Sequence, residues 1–122
     1  MFELEPEEAR LLLNIALMAI GQNRFQSAEN ILSALERFRP DAPSLAVARA
    51  VLFISMTDFQ KAIDFIDNQA LPRFPDSAML QAFKGMAYLR LNRPEEAREP
   101  LTIAAGQNAD SAAAQLAKDL LQ

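Results

Sequence analysis

The sequence repeats a short pattern at an interval of about 34 residues, and this repeat constrains the fold more than any other feature. Ala28, Ala62 and Ala97 each end a similar tetrapeptide (FQSA, FQKA and PEEA), and they are 34 and 35 residues apart. A turn-rich segment recurs at the same step, with Pro40 and Pro75 separated by 35 residues. Repetition at an interval of about 20–50 residues is typical of architectures in which each unit buries its apolar face against its neighbours.

Each repeat contains two segments with the period of an α-helix. Apolar residues recur at helical spacing, and no stretch alternates apolar and polar residues as a strand would. Seven helices are predicted, and they start at Pro6, at Phe25, after Asp41, after Asp58, after Asp76, at Pro94 and after Asp110. Asp41 and Asp76 are predicted N-caps, Gly21 a left-handed C-terminal cap, and the fourth helix is expected to break near Asp67.

The interval and the residue classes resemble the tetratricopeptide repeat (TPR). In TPR terms, the small residue in the middle of the first helix of each pair is Ala16, Ala50 and Gly85. The resemblance implies an all-α fold, a TPR-like right-handed α-solenoid of about three helix-turn-helix units plus a C-terminal capping helix. A single domain is expected, with units at about 9–42, 43–77 and 78–109 and a cap helix at 110–122.

The composition argues against an enzyme, a metal site and a nucleic-acid-binding protein. The chain has no His and no Cys, so it lacks the commonest general base and the usual zinc ligands. Its net charge is −4 and its Arg residues are scattered, whereas phosphate binding needs clustered cations. The acidic residues Glu3, Glu5, Glu7 and Glu8 are interpreted as the solvated start of a helix, favoured by its dipole. We predict no catalytic residue, no cofactor and no metal.

The start of the chain does not have the pattern of a secretory signal. It is acidic where a signal would be basic, and the apolar stretch from Leu11 to Ile20 is too short to span a bilayer. A cytoplasmic location is therefore predicted.

The register of the repeat predicts which residues line the inner face of a TPR stack, because that face is formed by the first helix of each unit. These positions are almost wholly apolar, and such a groove suits the apolar face of an amphipathic helix. The predicted partner-binding groove consists of Leu13, Leu17, Ile20, Val47, Val51, Ile54, Met79, Ala82, Met86 and Leu89.

A core role is the alternative interpretation of the same stripe, since apolar residues at helical spacing more often belong to a core than to a binding site. The opposite face of the first helix already carries apolar residues for a core, namely Leu12, Ile15, Ala16 and Ala19. An apolar surface on both sides of this helix favours a groove, and both interpretations stay open at this point.

Beyond the fold, the chain resembles the TPR-like chaperones of bacterial type III secretion systems, the larger subunit of a two-chain complex that keeps the needle subunit soluble. The resemblance rests on the length of 122 residues, the absence of Cys, the segment from Ala34 to Pro43, the apolar helix from Leu45 to Ile54 and the short helix ending at Pro72. It implies that the groove sequesters the C-terminal amphipathic helix of the needle subunit and prevents premature polymerisation.

The same resemblance implies a second protein partner, a small helical co-chaperone that docks elsewhere, on the first unit. Self-association is expected when the chain is alone, and neither nucleic acid nor membrane insertion is expected. The alternative function is a general TPR interaction scaffold or adaptor for another protein. A hydrophilic ligand, or one that ends in a carboxylate, would favour this alternative.

Overall fold

The computed structural model describes residues 4–106 and 111–122, and within these ranges it contains helices and no strand. The predicted all-α fold is therefore confirmed. The elements are α1 (Pro6–Gly21), α2 (Phe25–Phe38), α3 (Pro43–Ser55), α4 (Phe59–Phe65), a π turn (Ile66–Ala70), α5 (Leu71–Arg73), α6 (Ala78–Arg90), α7 (Pro94–Gly106) and α8 (Ala112–Leu121).

The first compact unit, which we call unit 1, ends at Met56 and contains α1, α2 and α3, packed against one another. Small residues lie at the helix crossings: Ala16 on α1 and Ala28 on α2 are fully buried, which lets the helices approach closely. Large apolar side chains fill the space around them, so the core contains Ile20, Leu32, Leu35, Leu45 and Leu52.

The second compact unit, unit 2, begins at Thr57 and is organised around α6, which packs on α4, α7 and α8. Its core contains Ala82, Ala97, Leu101, Ala104 and Ala117. The boundary between the units falls inside the second predicted repeat, after its first helix. The single domain with three repeats stays a prediction.

The last helix, α8, packs on α6 and α7. It begins at Ala112, and the hydroxyl of Ser111 accepts a hydrogen bond from the backbone N–H of Ala114 at 3.0 Å, which makes Ser111 the N-cap. Asp110, the predicted start of this helix, lies outside the described residues.

The predicted left-handed cap at Gly21 is wrong, because Gly21 remains within α1 and no described glycine has a positive φ. The left-handed residues are instead Asn23, Thr57 and Asn92, with φ of 62°, 61° and 61°. Asn tolerates this conformation because its short polar side chain can bond locally. The three positions recur at intervals of 34 and 35 residues, so the repeat is present in the backbone as well as in the sequence.

The hydrogen bonds at these turns show why the left-handed residue is needed. After Asn23, the N–H of Arg24 reaches back to the carbonyl of Ala19 at 2.8 Å, and after Asn92 the N–H of Arg93 reaches the carbonyl of Tyr88 at 2.9 Å. Each of these carbonyls also accepts a longer bond, from the N–H of Gln22 at 3.2 Å and of Leu91 at 3.1 Å, so the left-handed residue adds a second, shorter bond at the helix end.

Two predicted N-caps are off by one residue. The caps of α3 and α6 are Ala42 and Ser77, where Asp41 and Asp76 were predicted. At α6 the reason is a side-chain bond, because the hydroxyl of Ser77 accepts from the N–H of Leu80 at 3.2 Å. At α3 no side chain caps the helix, and Pro43 fixes the first turn instead.

The fourth helix does not break near Asp67 as predicted. It continues through the π turn, in which the N–H of Leu71 donates to the carbonyl of Ile66, five residues back. Pro72 follows and has no N–H to donate, so an ordinary α-helical ladder would lose a bond there. The π turn lies just before Pro72, and the helix continues beyond it to Arg73.

A side chain limits the approach of two helices at Gly85 on α6. A Cβ atom at this position would lie 2.4 Å from Cγ and 2.5 Å from Cδ2 of Leu101, which is itself fully buried on α7. Gly21 is different, since a Cβ there would meet no atom within 4 Å.

Gly85→Ala is therefore expected to destabilise the protein by about 1–3 kcal/mol, because overpacking against Leu101 exceeds the gain in helix propensity. Gly21→Ala is the matched control and is expected to stabilise by about 0.5–1 kcal/mol, since it gains propensity without a clash. Urea denaturation followed by circular dichroism measures both. If the two substitutions shift stability in the same direction, the close approach at Gly85 is not the limiting contact.

Thr57 is the β-branched residue among the three left-handed positions, and such residues adopt this conformation with strain. Thr57→Asn is expected to raise the free energy of unfolding by about 0.5–1 kcal/mol, because it restores the residue used at the other two turns. The reverse change, Asn92→Thr, should lower it by a similar amount. Thermal unfolding of both variants checks the prediction, and a lower melting temperature for Thr57→Asn would contradict it.

Candidate protein-binding surface

The predicted groove residues of unit 1 divide between surface and core. Leu17 is 40% exposed, whereas Ile20 is only 5% exposed and belongs to the core. Ile20 follows Ala16 by four residues on α1, so it shares the buried face of the helix. Leu13, Val47, Val51 and Ile54 are half-buried.

The predicted groove residues of unit 2 lie on α6. Met79, Met86 and Leu89 are half-buried, but Ala82 is fully buried in the core with Ala97 and Leu101. Ala82 precedes Gly85 by three residues and therefore shares the face that packs on α7. Ile20 and Ala82 are thus core residues and offer no binding surface.

An apolar stripe covers the outer face of α1. Leu11, Ile15 and Met18 are 61%, 42% and 62% exposed, and their spacing of four and three residues places them on one side of the helix. We call these three residues the α1 stripe. Ile15 was predicted to lie in the core, and this is wrong: Ile15 lies about 100° around the helix from the buried Ala16, on the side away from the core.

Leu17 lies on a different side of α1 from this stripe, the side that also carries Leu13. Four of the eight large apolar residues exposed in the described ranges are therefore on α1, namely Leu11, Ile15, Leu17 and Met18. Single exposed apolar residues are common on protein surfaces, but the α1 stripe brings three of them together on one side of a helix, which is typical of an interaction site.

A cleft of about 290 Å³ opens in unit 1 between the start of α1, the end of α2 and the start of α3. We call it the unit 1 cleft. Its polar residues are Arg10, Arg39 and Ser44, and one arm of Arg39 donates from Nη2 to the carbonyl of Leu4 at 3.4 Å. Its apolar lining consists of Pro6, Ala9, Leu13, Leu35, Ala42 and Leu45. Leu13 is the one predicted groove residue in this cleft.

The helix that carries Val47, Val51 and Ile54 is held in place by a buried cation. Arg49 of α3 is 7% exposed, and its guanidinium contacts two carboxylates of α2. Nη1 lies 2.5 Å from Glu29 Oε2, and Nη2 lies 2.6 Å from Glu36 Oε1. The hydroxyl of Ser33 joins the cluster by donating to Glu29 at 2.8 Å.

The electrostatic balance at Arg49 favours its charged form. Burial opposes the charge, but hydrogen bonds to Glu36 and Glu29 outweigh it, so the pKa of Arg49 is raised. A raised pKa means that the charge of Arg49 contributes stability below the ordinary Arg pKa and that this contribution is lost in strong alkali. The cluster therefore holds α3 on α2 at the pH values at which Arg49 is charged and its two carboxylate partners are ionised.

Sequence reasoning missed this cluster, although a signal was present. Arg49 is the one charged residue in the otherwise apolar helix Pro43–Ser55. A lone cation in such a helix needs a buried partner, and the acidic residues Glu29 and Glu36 lie seven positions apart on one face of the preceding helix.

In unit 2, an ion pair joins α6 to the π turn. Lys84 Nζ lies 2.6 Å from Oδ1 of Asp67 in the π turn. The guanidinium of Arg93 pairs with the carboxylate of Glu96. Its Cζ atom lies 5.2 Å from the centroid of the Tyr88 ring, and its Nη1 donates to Oε1 of Gln60 at 3.3 Å. These Arg contacts neutralise charge locally and do not form a basic patch.

The described residues contain no helix that is both long and apolar enough to cross a membrane. Within residues 4–106 and 111–122, no group of three or more acidic side chains is arranged to hold a metal ion.

The fold is similar to that of a known TPR domain. The "Arabidopsis OM64 TPR domain" matches with a TM-score of 0.74 and 18% sequence identity, over 94% of this chain and 94% of that one. No family model and no curated protein matches the sequence. The likeness establishes a TPR-like fold for this chain.

Removing the cation at the centre of the buried cluster is expected to destabilise unit 1. Arg49→Met keeps the apolar stem but removes the positive charge between Glu29 and Glu36. We expect the free energy of unfolding to fall by about 1–3 kcal/mol, and the effect is no larger because both carboxylates are partly exposed. Adding Glu29→Gln and Glu36→Gln to Arg49→Met should recover much of the loss, because it removes the uncompensated charges. Urea denaturation of the single and triple variants checks this, and an unchanged midpoint for Arg49→Met would show that the cluster contributes nothing.

Proposed function

We propose that this protein is an interaction module that binds an amphipathic helix of another protein, and that it is not an enzyme. The observation that carries the proposal is the group of exposed apolar residues on α1. Unit 1 has a packed core, and Leu11, Ile15, Leu17 and Met18 lie outside it and are exposed. Leaving them in water costs free energy that a partner recovers on binding.

We propose a separate binding surface on each unit, made of the eight predicted residues that are not fully buried; Leu13, Val51 and Leu89 among them also pack against the cores. In unit 1 these are Leu13, Leu17, Val47, Val51 and Ile54, and in unit 2 they are Met79, Met86 and Leu89. All of them are apolar and at least partly accessible. The Met side chains are flexible and polarisable, which allows them to adapt to an irregular helix surface.

The energetic case for such binding is simple. Burying a large aliphatic side chain contributes about 1.5–3 kcal/mol before the costs of association. Micromolar affinity corresponds to about 8 kcal/mol net, so a partner has to cover many of these residues at once, because most of them are already half-buried.

The specific function that we propose is that of a bacterial type III secretion chaperone in the cytoplasm. Its ligand would be the C-terminal amphipathic helix of the needle subunit. Covering the apolar face of that helix would prevent premature polymerisation, because the same face drives subunit assembly. The α1 stripe would be the separate docking surface for a small helical co-chaperone, since its residues point away from the core of unit 1.

A general TPR scaffold for an unrelated protein is the alternative. The TPR-like fold supports it directly, since that fold is common to modules with many different partners. The partner's identity separates the two functions: a needle-type subunit favours the chaperone, and any other stable partner favours the scaffold.

The experiment compares wild type, Leu17→Glu and Met18→Glu, expressed with a tag in the native bacterium. The two variants are closely matched, because they place the same charge at adjacent exposed positions on different sides of α1. Wild type is expected to co-purify a small needle-type secretion subunit, which mass spectrometry and reciprocal pull-down identify. Leu17→Glu should reduce this capture at least tenfold, whereas Met18→Glu should retain it and lose the second small helical partner.

Circular dichroism and thermal unfolding must first show that both variants keep the wild-type helix content. If Leu17→Glu captures the needle subunit as well as wild type does, this flank of α1 is not the binding surface. If wild type captures no secretion subunit, the chaperone function is wrong and the scaffold remains.

A further inference from the structure

The unit 1 cleft has a charge opposite to that of the protein as a whole. The chain carries 16 acidic and 12 basic residues, a net charge of −4. Yet the residues that line the cleft include Arg10 and Arg39 and no Asp or Glu. A cleft of this kind attracts negative charge at short range even though the whole molecule is acidic.

The cleft as a whole is large enough to hold one side chain of a partner. Its volume is about 290 Å³, and six of its nine lining residues are apolar. For comparison, an apolar cavity of about 150 Å³ in another protein is known to bind benzene. One Leu or Phe side chain would therefore fit, with the two Arg side chains at its edge.

Both Arg side chains have donors to offer a ligand. Arg10 is exposed on α1. Arg39 is half-buried at the end of α2 and bonds to the carbonyl of Leu4. A guanidinium has five N–H donors, so this single bond does not exhaust Arg39. Ser44 adds a hydroxyl at the start of α3.

We propose that the unit 1 cleft recognises an apolar residue and an acidic residue placed one turn apart on the partner's amphipathic helix. The apolar side chain would fill the space beside Leu13 and Leu45. The side-chain carboxylate, three or four residues away, would reach Arg10 and Arg39, since residues at this spacing share one face of a helix. This inference rests on the proposed function and adds the chemistry and position of one anchor in the partner.

Such a site would also provide specificity. The overall negative charge of the chain repels acidic partners at long range, and the cleft would favour those acidic helices that place a carboxylate beside an apolar anchor. A helix with Lys at that position would bring like charges together, which is unfavourable.

The test uses three synthetic Ala-based helical peptides, acetylated and amidated so that their ends carry no charge. Each contains one Leu, followed four residues later by Glu, Gln or Lys. Binding is measured by NMR titration of the labelled full chain at low salt. The Glu peptide is expected to bind about three- to tenfold more tightly than the Gln peptide, and the Lys peptide more weakly still. The shifted resonances should include Ala9, Leu13 and Ala42.

Arg10→Gln should reduce the difference between the Glu and Gln peptides, because only Arg39 then remains for the carboxylate, whereas Arg24→Gln, the control at an exposed Arg outside the cleft, should preserve it. Equal affinity for the three peptides, shifts confined to other residues, or an equal effect of the two Arg substitutions would overturn the proposal. A fourth peptide, with Gln in place of Glu and a free C-terminal carboxylate next to Leu, tests the other source of negative charge. If it alone binds, a side-chain carboxylate is not what the cleft recognises.

The outcomes separate this inference from the proposed function. If Leu17→Glu abolishes binding of all the peptides while Arg10→Gln changes nothing, helix binding stands and the cleft anchor is wrong. If the Glu peptide binds the cleft as expected but no needle-type subunit co-purifies with the protein, the anchor stands and the chaperone function is wrong.

Discussion

Close approach between helices is the constraint on which the rest of this structure depends. Each crossing of α1, α2, α6 and α7 needs a residue with little or no side chain, as at Ala16, Ala28, Gly85 and Ala97. The large residues can fill the space between the helices only because these positions are small. At Gly85 even one methyl group would collide with Leu101. These few small residues therefore determine which helix faces are buried and which faces of α1 and α6 remain accessible.

Unit 1 combines this packing with a single buried charge cluster. Arg49 joins α3 to α2 through Glu29 and Glu36, and its fork geometry fixes the relative position of the two helices more narrowly than apolar contacts would. A buried ion pair adds little net stability compared with well-packed apolar residues, but it penalises other arrangements of the same helices. Its position supports the neighbouring Val47 and Val51, which belong to the proposed binding surface.

The repeat, the TPR-like fold and most helix bounds could be predicted from the sequence, because spacing and helical periodicity are local properties. The sequence was less reliable at the ends of helices, where Asn23 replaced Gly21 and Ser77 replaced Asp76, since several residue types can cap a helix. The sequence did not distinguish surface from core residues on α1 or α6. Ile15 was predicted to lie in the core, and Ile20 and Ala82 were predicted to lie in the binding groove. That assignment depends on the angle at which neighbouring helices cross, which periodicity alone does not define.

The π turn explains how the chain accommodates a repeat of unequal length. The interval from Asn23 to Thr57 is 34 residues, and the interval from Thr57 to Asn92 is 35. The longer interval contains the π turn Ile66–Ala70, whose hydrogen bonds span five residues where an α-helix spans four, so it takes up one extra residue per turn. The insertion is thus absorbed within a helix, and no connecting loop has to lengthen. The second helix of the repeat keeps its buried positions, because the buried Ala97, Leu101 and Ala104 of α7 each stand 69 residues after the buried Ala28, Leu32 and Leu35 of α2.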